Sequence, residues 1–169
     1  MGHEIVSIDE VSFQLSTNYK RIWFPKGGRP KGAFFWSGKK LITFGALTSS
    51  HDFYYEFKCS QNSITFVSFL SGLFDWLSPD KKYVLILDNA GWHKTLFVRK
   101  FIEKYQNIKV EFIPPYSPEL NPIETNWKVT RNNVTKSQYF NTVDDLKEAL
   151  EEFWSEHCFM QKFMQYLCR

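Results

Sequence analysis

Asp88 closes the stretch YVLILDNAGWHKT (83–95), where five apolar or aromatic residues run without interruption into an aspartate. In an open α/β sheet, ligands sit in the crevice beyond the carboxyl ends of the strands, so an acid at such an end is a candidate for binding or catalysis. The competing role is local: an Asx turn in which the side chain accepts from the backbone of Ala90 or Gly91. Asp9 is harder to explain away. In HEIVSIDEVSFQL (3–15), alternation puts Ile5, Ser7, Asp9, Val11, Phe13 and Leu15 on one face, and a charge in that company is costly unless it is paired or bound to metal. Glu10 points to the opposite face; periodicity alone does not choose between the two acids, and Asp9 is preferred. The third candidate is Glu124 in FIPPYSPELNPIETNWKVTRN (112–132). Pro122 clashes inside any helix begun well before it, so a helix is expected to open there, with Asn121 as N-cap, Pro122 first and Glu124 third. N-x-x-E also reads as a capping box, in which Glu124 closes onto the backbone of Asn121.

The elements that must carry these acids follow from pattern. Residues 3–15, KKLITFGAL (39–47) and DFYYEFKC (52–59) read as strands. Between the first two lies KRIWFPKGGRPKG (20–32), whose two prolines, three glycines and five basic residues predict an exposed loop or wide hairpin. Three strands, or four if part of that segment pairs, thus precede the first helix. That helix is predicted over 63–77, with Ile64, Val67, Leu70, Phe74 and Leu77 at helical spacing, Leu73 widening the stripe and Pro79 ending it. KYVLILD (82–88) lacks alternation, which predicts a central strand covered on both faces. TLFVRKFIEKY (95–105) reads as a helix and IKVEFIP (108–114) as a strand, completing a β-α-β crossover with parallel strands. TVDDLKEALEEFWSEH (142–157) is amphipathic, with Thr142 placed to cap it.

Composition bounds the rest. At 169 residues with 43% hydrophobic residues, the chain can bury the core of one domain. A net charge of +3 permits a polyanionic partner without demanding one. Cys59, Cys158 and Cys168 are odd in number and lack C-x-x-C spacing, which argues against a disulfide framework or zinc knuckle and favours a reducing, intracellular setting. No apolar run approaches the roughly 18 residues of a membrane span, so a soluble protein without a membrane partner is expected. Most of the 17 Phe, 8 Tyr and 6 Trp are read as core.

Taken together, IDE (8–10), LILDNAGWHK (85–94) and PPYSPELNPIETNW (114–127) resemble the three catalytic blocks of the DDE transposases of the mariner superfamily, in the branch carried by prokaryotic insertion sequences. The 35 residues between Asp88 and Glu124 (89–123) resemble that family's spacing between its second and third acids. RIWFPKGGRPK and ITFGAL resemble further family blocks, so the likeness runs from Ile5 to about Phe153.

The resemblance implies a ribonuclease H-like α/β fold: a mixed central sheet, antiparallel in its first strands and then parallel, flanked by helices. In it Asp9, Asp88 and Glu124 converge as catalytic residues and as ligands of Mg²⁺ or Mn²⁺. Two divalent ions are expected during catalysis, activating the attacking oxygen and stabilising the leaving oxygen of a phosphodiester. The implied activity is DNA strand cleavage and strand transfer in transposition, on double-stranded DNA at element ends and target, with a homodimer as a candidate assembly and a cytoplasmic, nucleoid-bound setting. Candidate DNA contacts are Arg21, Trp23, Lys26, Arg29 and Lys31 in the basic segment, with Asn89 and His93 after Asp88; His93 could instead orient the site or make a structural hydrogen bond. Trp127 is expected to hold its helix against the sheet. Full-length members carry helix-turn-helix domains ahead of the catalytic core. Here the first strand starts within ten residues of Met1, so a single catalytic domain over 1–169 without that region is expected. Alternatives are a metal-dependent nuclease, an inactive DNA-binding remnant and, from another class, a phosphorylation-receiver domain; strict β/α alternation would be needed for the last.

Overall fold

The computed structural model describes residues 2–16, 26, 27, 37–115, 117–136 and 138–159. Its centre is the strand that carries Asp9. β1 (Glu4–Gln14) pairs antiparallel with β2 (Lys40–Thr48), which pairs antiparallel with β3 (Phe53–Lys58). On its other side β1 runs parallel to β4 (Tyr83–Leu87), and β4 parallel to β5 (Ile108–Phe112), giving the sheet order β3-β2-β1-β4-β5. Among the described residues three strands precede the first helix, an order unlike the strict β/α alternation of a receiver domain. This is the mixed sheet of the ribonuclease H-like fold.

The period of two in β1 divides the core. Val6 and Ile8 face one layer with Phe44, Ala46, Leu85 and Leu87, covered by α1 (Ser63–Trp76) and α2 (Leu96–Ile102). Ile5, Val11 and Phe13 face the other, covered by α3 (Ile123–Thr130) and α4 (Val143–Glu156), where Trp127 and Trp154 fill the space over the sheet. β4 shows more alternation in burial than its sequence suggests. Tyr83, Leu85 and Leu87 are buried on the α1 side, while Val84 and Ile86 are half-covered on the other.

The helices start where their caps dictate. Asn62 caps α1 in a capping box with Thr65, and Thr142 caps α4 in one with Asp145, as expected for that residue. The buried stripe of α1 differs from the expected one: Phe66, Phe69, Leu70, Leu73 and Phe74 face the core, while Ile64 is 71% exposed. The helix rotates to bury Phe66 and Phe69 along with Phe74, and each phenylalanine removes more apolar surface from water than Ile64 could.

α3 departs from expectation at its start. Pro122 already has helical angles (φ −56°, ψ −35°), but no side chain caps the helix from within it, and Asn121 does not act as its N-cap. Asn121 is buried and turned toward β1, where its Oδ1 accepts from Ser7 Oγ and its Nδ2 donates to the Ile8 carbonyl at 3.4 Å. Ser7 Oγ in turn accepts from the Ile123 N–H at 3.3 Å. A free N–H of the helix is thus satisfied by the strand beneath it, and α3 is fastened to β1 two residues from Asp9.

Candidate active site

Parallel pairing of Ser7 with Ile86 sets the level of the first two acids: continued by two residues, the register brings Asp9 beside Asp88. Glu124, in the first turn of α3, lines the same cleft of about 390 Å³, together with Asn89, Asn121 and a wall formed by Ile113, Pro114 and Pro115. Acids from three segments distant in sequence are therefore gathered at one opening beyond the carboxyl end of β4.

Each is held differently. Asp9 is 9% exposed, and its Oδ2 accepts from Trp127 Nε1 at 3.0 Å. Burial raises its pKa to about 8, with the negative charge of Glu124 next in effect and those of Glu10 and Asp88 adding to it. Asp88 forms the turn that its type allows, its Oδ1 accepting from the Ala90 N–H at 2.9 Å, while the side chain still faces the cleft. The turn and the cleft are compatible. Its pKa is lowered, first by His93 and then, against the cost of burial, by the Ala90 N–H.

His93 is the residue whose placement sequence reasoning left open. It is 2% exposed and packed at a tilt against Phe66, with 4.3 Å between ring centroids. Its Nε2 lies 2.8 Å from Glu10 Oε1, in hydrogen-bond geometry. Its Nδ1 lies 2.8 Å from Asp88 Oδ1 in a charge contact. Burial opposes charge on the ring, but the two carboxylates outweigh it and lift the pKa to about 9. Glu10, on the opposite face of β1 from Asp9, is thereby committed to an imidazolium and to Trp92 Nε1 at 3.3 Å. Asp9, not Glu10, lines the cleft.

Two supports had no sequence signal of their own. Trp127 was expected to act as packing, and it is buried; that it also donates to Asp9 required knowing which side chain lies beneath it. Gly45 is the register partner of Asp9 on β2, and a Cβ there would stand 2.5 Å from Trp127 Cη2. Only glycine leaves room for the indole to cross the sheet and reach the carboxylate.

The proposed DNA contacts divide. Asn89 lines the cleft, donating to the Ile113 carbonyl and accepting from Lys94 Nζ. Lys26 is exposed in a turn. Arg21, Trp23, Arg29 and Lys31 lie outside the described residues.

The donor set suits a hard divalent cation: all-oxygen ligands, more than one of them charged, whose mutual repulsion an ion would relieve. Among the described residues no three His, Cys, Asp or Glu side chains are already drawn into a metal-holding cluster, so the carboxylates would have to close on an ion.

A mixed sheet of this order, with acids gathered beyond its parallel strands, is the ribonuclease H-like fold. Within that class the chain matches the DDE superfamily endonuclease family over residues 4–147 and belongs to it. It is 24% identical over 155 residues to an insertion element IS630 39 kDa protein of Shigella sonnei, covering 89% of this chain and 44% of that one. It is 44% identical over 73 residues to protein y4pE/y4sA of Sinorhizobium fredii, covering 43% of this chain and 51% of the other. The chain thus spans about half the length of these relatives. Among solved structures, the Mos1 strand transfer complex aligns with a TM-score of 0.79 at 24% identity, covering 98% of this chain and 51% of that one. A Mos1 mariner paired-end complex with Mg aligns at 0.79 and 21% identity, covering 97% and 52%, and the Mos1 catalytic domain at 0.69 and 21%, covering 97% and 74%. At these identities the structures establish the fold.

Proposed function

We propose that this chain is the catalytic domain of an insertion-sequence transposase, cutting DNA strands and joining them to a target with Asp9, Asp88 and Glu124 as ligands of Mg²⁺ or Mn²⁺. The observation that carries the reading is the convergence of those three acids on one cleft. Two such ions, when bound, activate the attacking oxygen and stabilise the leaving one.

The chain's own residues set up that chemistry. Trp127 fixes one oxygen of Asp9, leaving the other for a ligand. His93, charged through neutral pH, holds Asp88 from behind and keeps Glu10 out of the cleft. The Ser7–Asn121–Ile123 connection fixes the start of α3, and with it Glu124, relative to β1. The Mos1 paired-end complexes with Mg, with Mn and with a left transposon end support the metal and the substrate class. Element ends and target as substrates, a homodimer as the working assembly and a cytoplasmic, nucleoid-bound location belong to the same proposal.

The test is Glu124→Gln. A two-metal site loses a charged ligand and should lose Mn²⁺-dependent nicking and strand transfer, while the fold, which has no cap at Glu124 to lose, melts near the parent. Glu119→Gln, in the same proline-rich block but outside the cleft, is the control and should keep activity. Nicking retained by Glu124→Gln and lost by Glu119→Gln would move the third acid.

A further inference from the structure

We propose that a second cleft, between the end of β1 and the far half of α3, seats the phosphate backbone of the DNA strand a few nucleotides from the reacting phosphate. The proposal rests on the strand-cleavage reading above. The cleft, of about 470 Å³, is lined by Ser12 and Gln14 from β1, Lys128 from α3, and Arg131, Asn132 and Lys136 beyond it.

Three observations point to a polyanion. The first is charge: three cations face one polar hollow, and among the described residues no carboxylate forms an ion pair with Lys128, Arg131 or Lys136. Among the described residues Lys136 Nζ donates to Asn132 Oδ1, at 2.9 Å, a neutral partner that leaves its charge available. Such unneutralised Lys and Arg beside hydroxyl and amide groups are the usual donors to phosphate oxygens.

The second is alignment. Lys128 and Arg131 follow Glu124 by four and seven residues, so they share its helix face, and at 1.5 Å per residue the line from Glu124 to Arg131 is about 10 Å long. At about 3.4 Å of axis per nucleotide along one strand, that is about three nucleotides. β1 covers the same ground along its α3-facing side from Asp9 through Val11 to Phe13, which lines the second cleft with Lys128 and Arg131. Strand and helix therefore lead together from the carboxylates to the cations.

The third is local geometry. α3 does not end at Thr130 but continues as a π-helical turn at Arg131–Thr135, closed by the Lys136 N–H donating to the Arg131 carbonyl at 2.8 Å. π-turns inside helices cluster at functional sites, and this one arranges Arg131, Asn132, Thr135 and Lys136 around the one cleft.

The experiment compares two triple variants of the full chain on a labelled DNA duplex by fluorescence anisotropy across a salt series. Lys128→Ala/Arg131→Ala/Lys136→Ala should weaken binding about tenfold or more at low salt, on any sequence, and flatten the log–log salt dependence by about 2 to 3. Lys82→Ala/Lys100→Ala/Lys109→Ala removes the same charge from exposed positions on α2 and at the amino ends of β4 and β5, and should leave the slope near the parent's. In Mn²⁺-dependent nicking, the first variant should raise KM with kcat within a few-fold of the parent. Equal losses in both variants, no loss in the first, or a parent that does not bind DNA would each overturn the proposal. A parent that binds with the predicted slope change yet never nicks would instead overturn the cleavage reading and leave the cleft assigned.

Discussion

At the scale of single residues, the site is a balance of charges whose pH dependence has a definite sign. Asp9 keeps its proton up to about pH 8 in the native state but gives it up near 3.8 when unfolded, so the native state binds more protons across that window and stability falls as pH rises. His93 acts in the same sense: its native pKa of about 9 against 6.5 contributes stability that is complete below 6.5 and lost as pH rises through 9. Asp88, with a lowered pKa, contributes stability above its ordinary value that disappears on acidification. We therefore expect the chelated protein to melt at a lower temperature at pH 9 than at pH 6. Asp9→Asn should remove part of that slope and leave the part due to His93; a melting temperature flat across the range in the parent would contradict both assignments. Trp127→Phe tests the other support. It leaves Asp9 without its N–H donor, and a buried acceptor so orphaned costs about 1–3 kcal/mol, measurable by urea unfolding.

At the scale of elements, what matters is how α3 is fixed to the sheet. Its indole crosses at Gly45 and its first turn is fastened through Ser7 and Asn121. Gly45→Ala puts a methyl into the Trp127 ring and should cost about 1–3 kcal/mol by overpacking. The ring atoms it meets, Cη2 and Cζ2, are absent from phenylalanine, so Gly45→Ala should cost less in a Trp127→Phe background than alone. Additive costs in the double-mutant cycle would show that the glycine serves some other contact.

At the scale of the whole molecule, three carboxylates from β1, the end of β4 and α3 share one cleft, so an ion binding there ties α3 to the sheet. Mn²⁺ or Mg²⁺ should raise the melting temperature, because a ligand of the native state alone stabilises it by mass action. Asp88→Asn should blunt that rise. If it responds to metal as the parent does, the acids do not share a site.

What the sequence by itself determined was local and periodic: the strands, the helix cap at Thr142, a helix opening at Pro122, the odd position of Asp9 in an apolar face, and a block around Glu124 specific enough to indicate the family. These are legible because period, turn chemistry and residue type act over a few neighbours. Even there, Ile64 was assigned inward, since a helical stripe predicts a face but not its rotation when phenylalanines sit beside it. The tertiary structure alone decided the partners. Nothing near Glu10 in the chain announces His93, nothing near Trp127 announces Asp9, and Asn121 looks like a cap until Ser7 is seen to claim it. Each of these contacts joins residues more than 80 positions apart. The cost of burying a charge or an unpaired polar group is set by whatever the fold brings against it, and that is a property of packing in three dimensions, which no local pattern encodes.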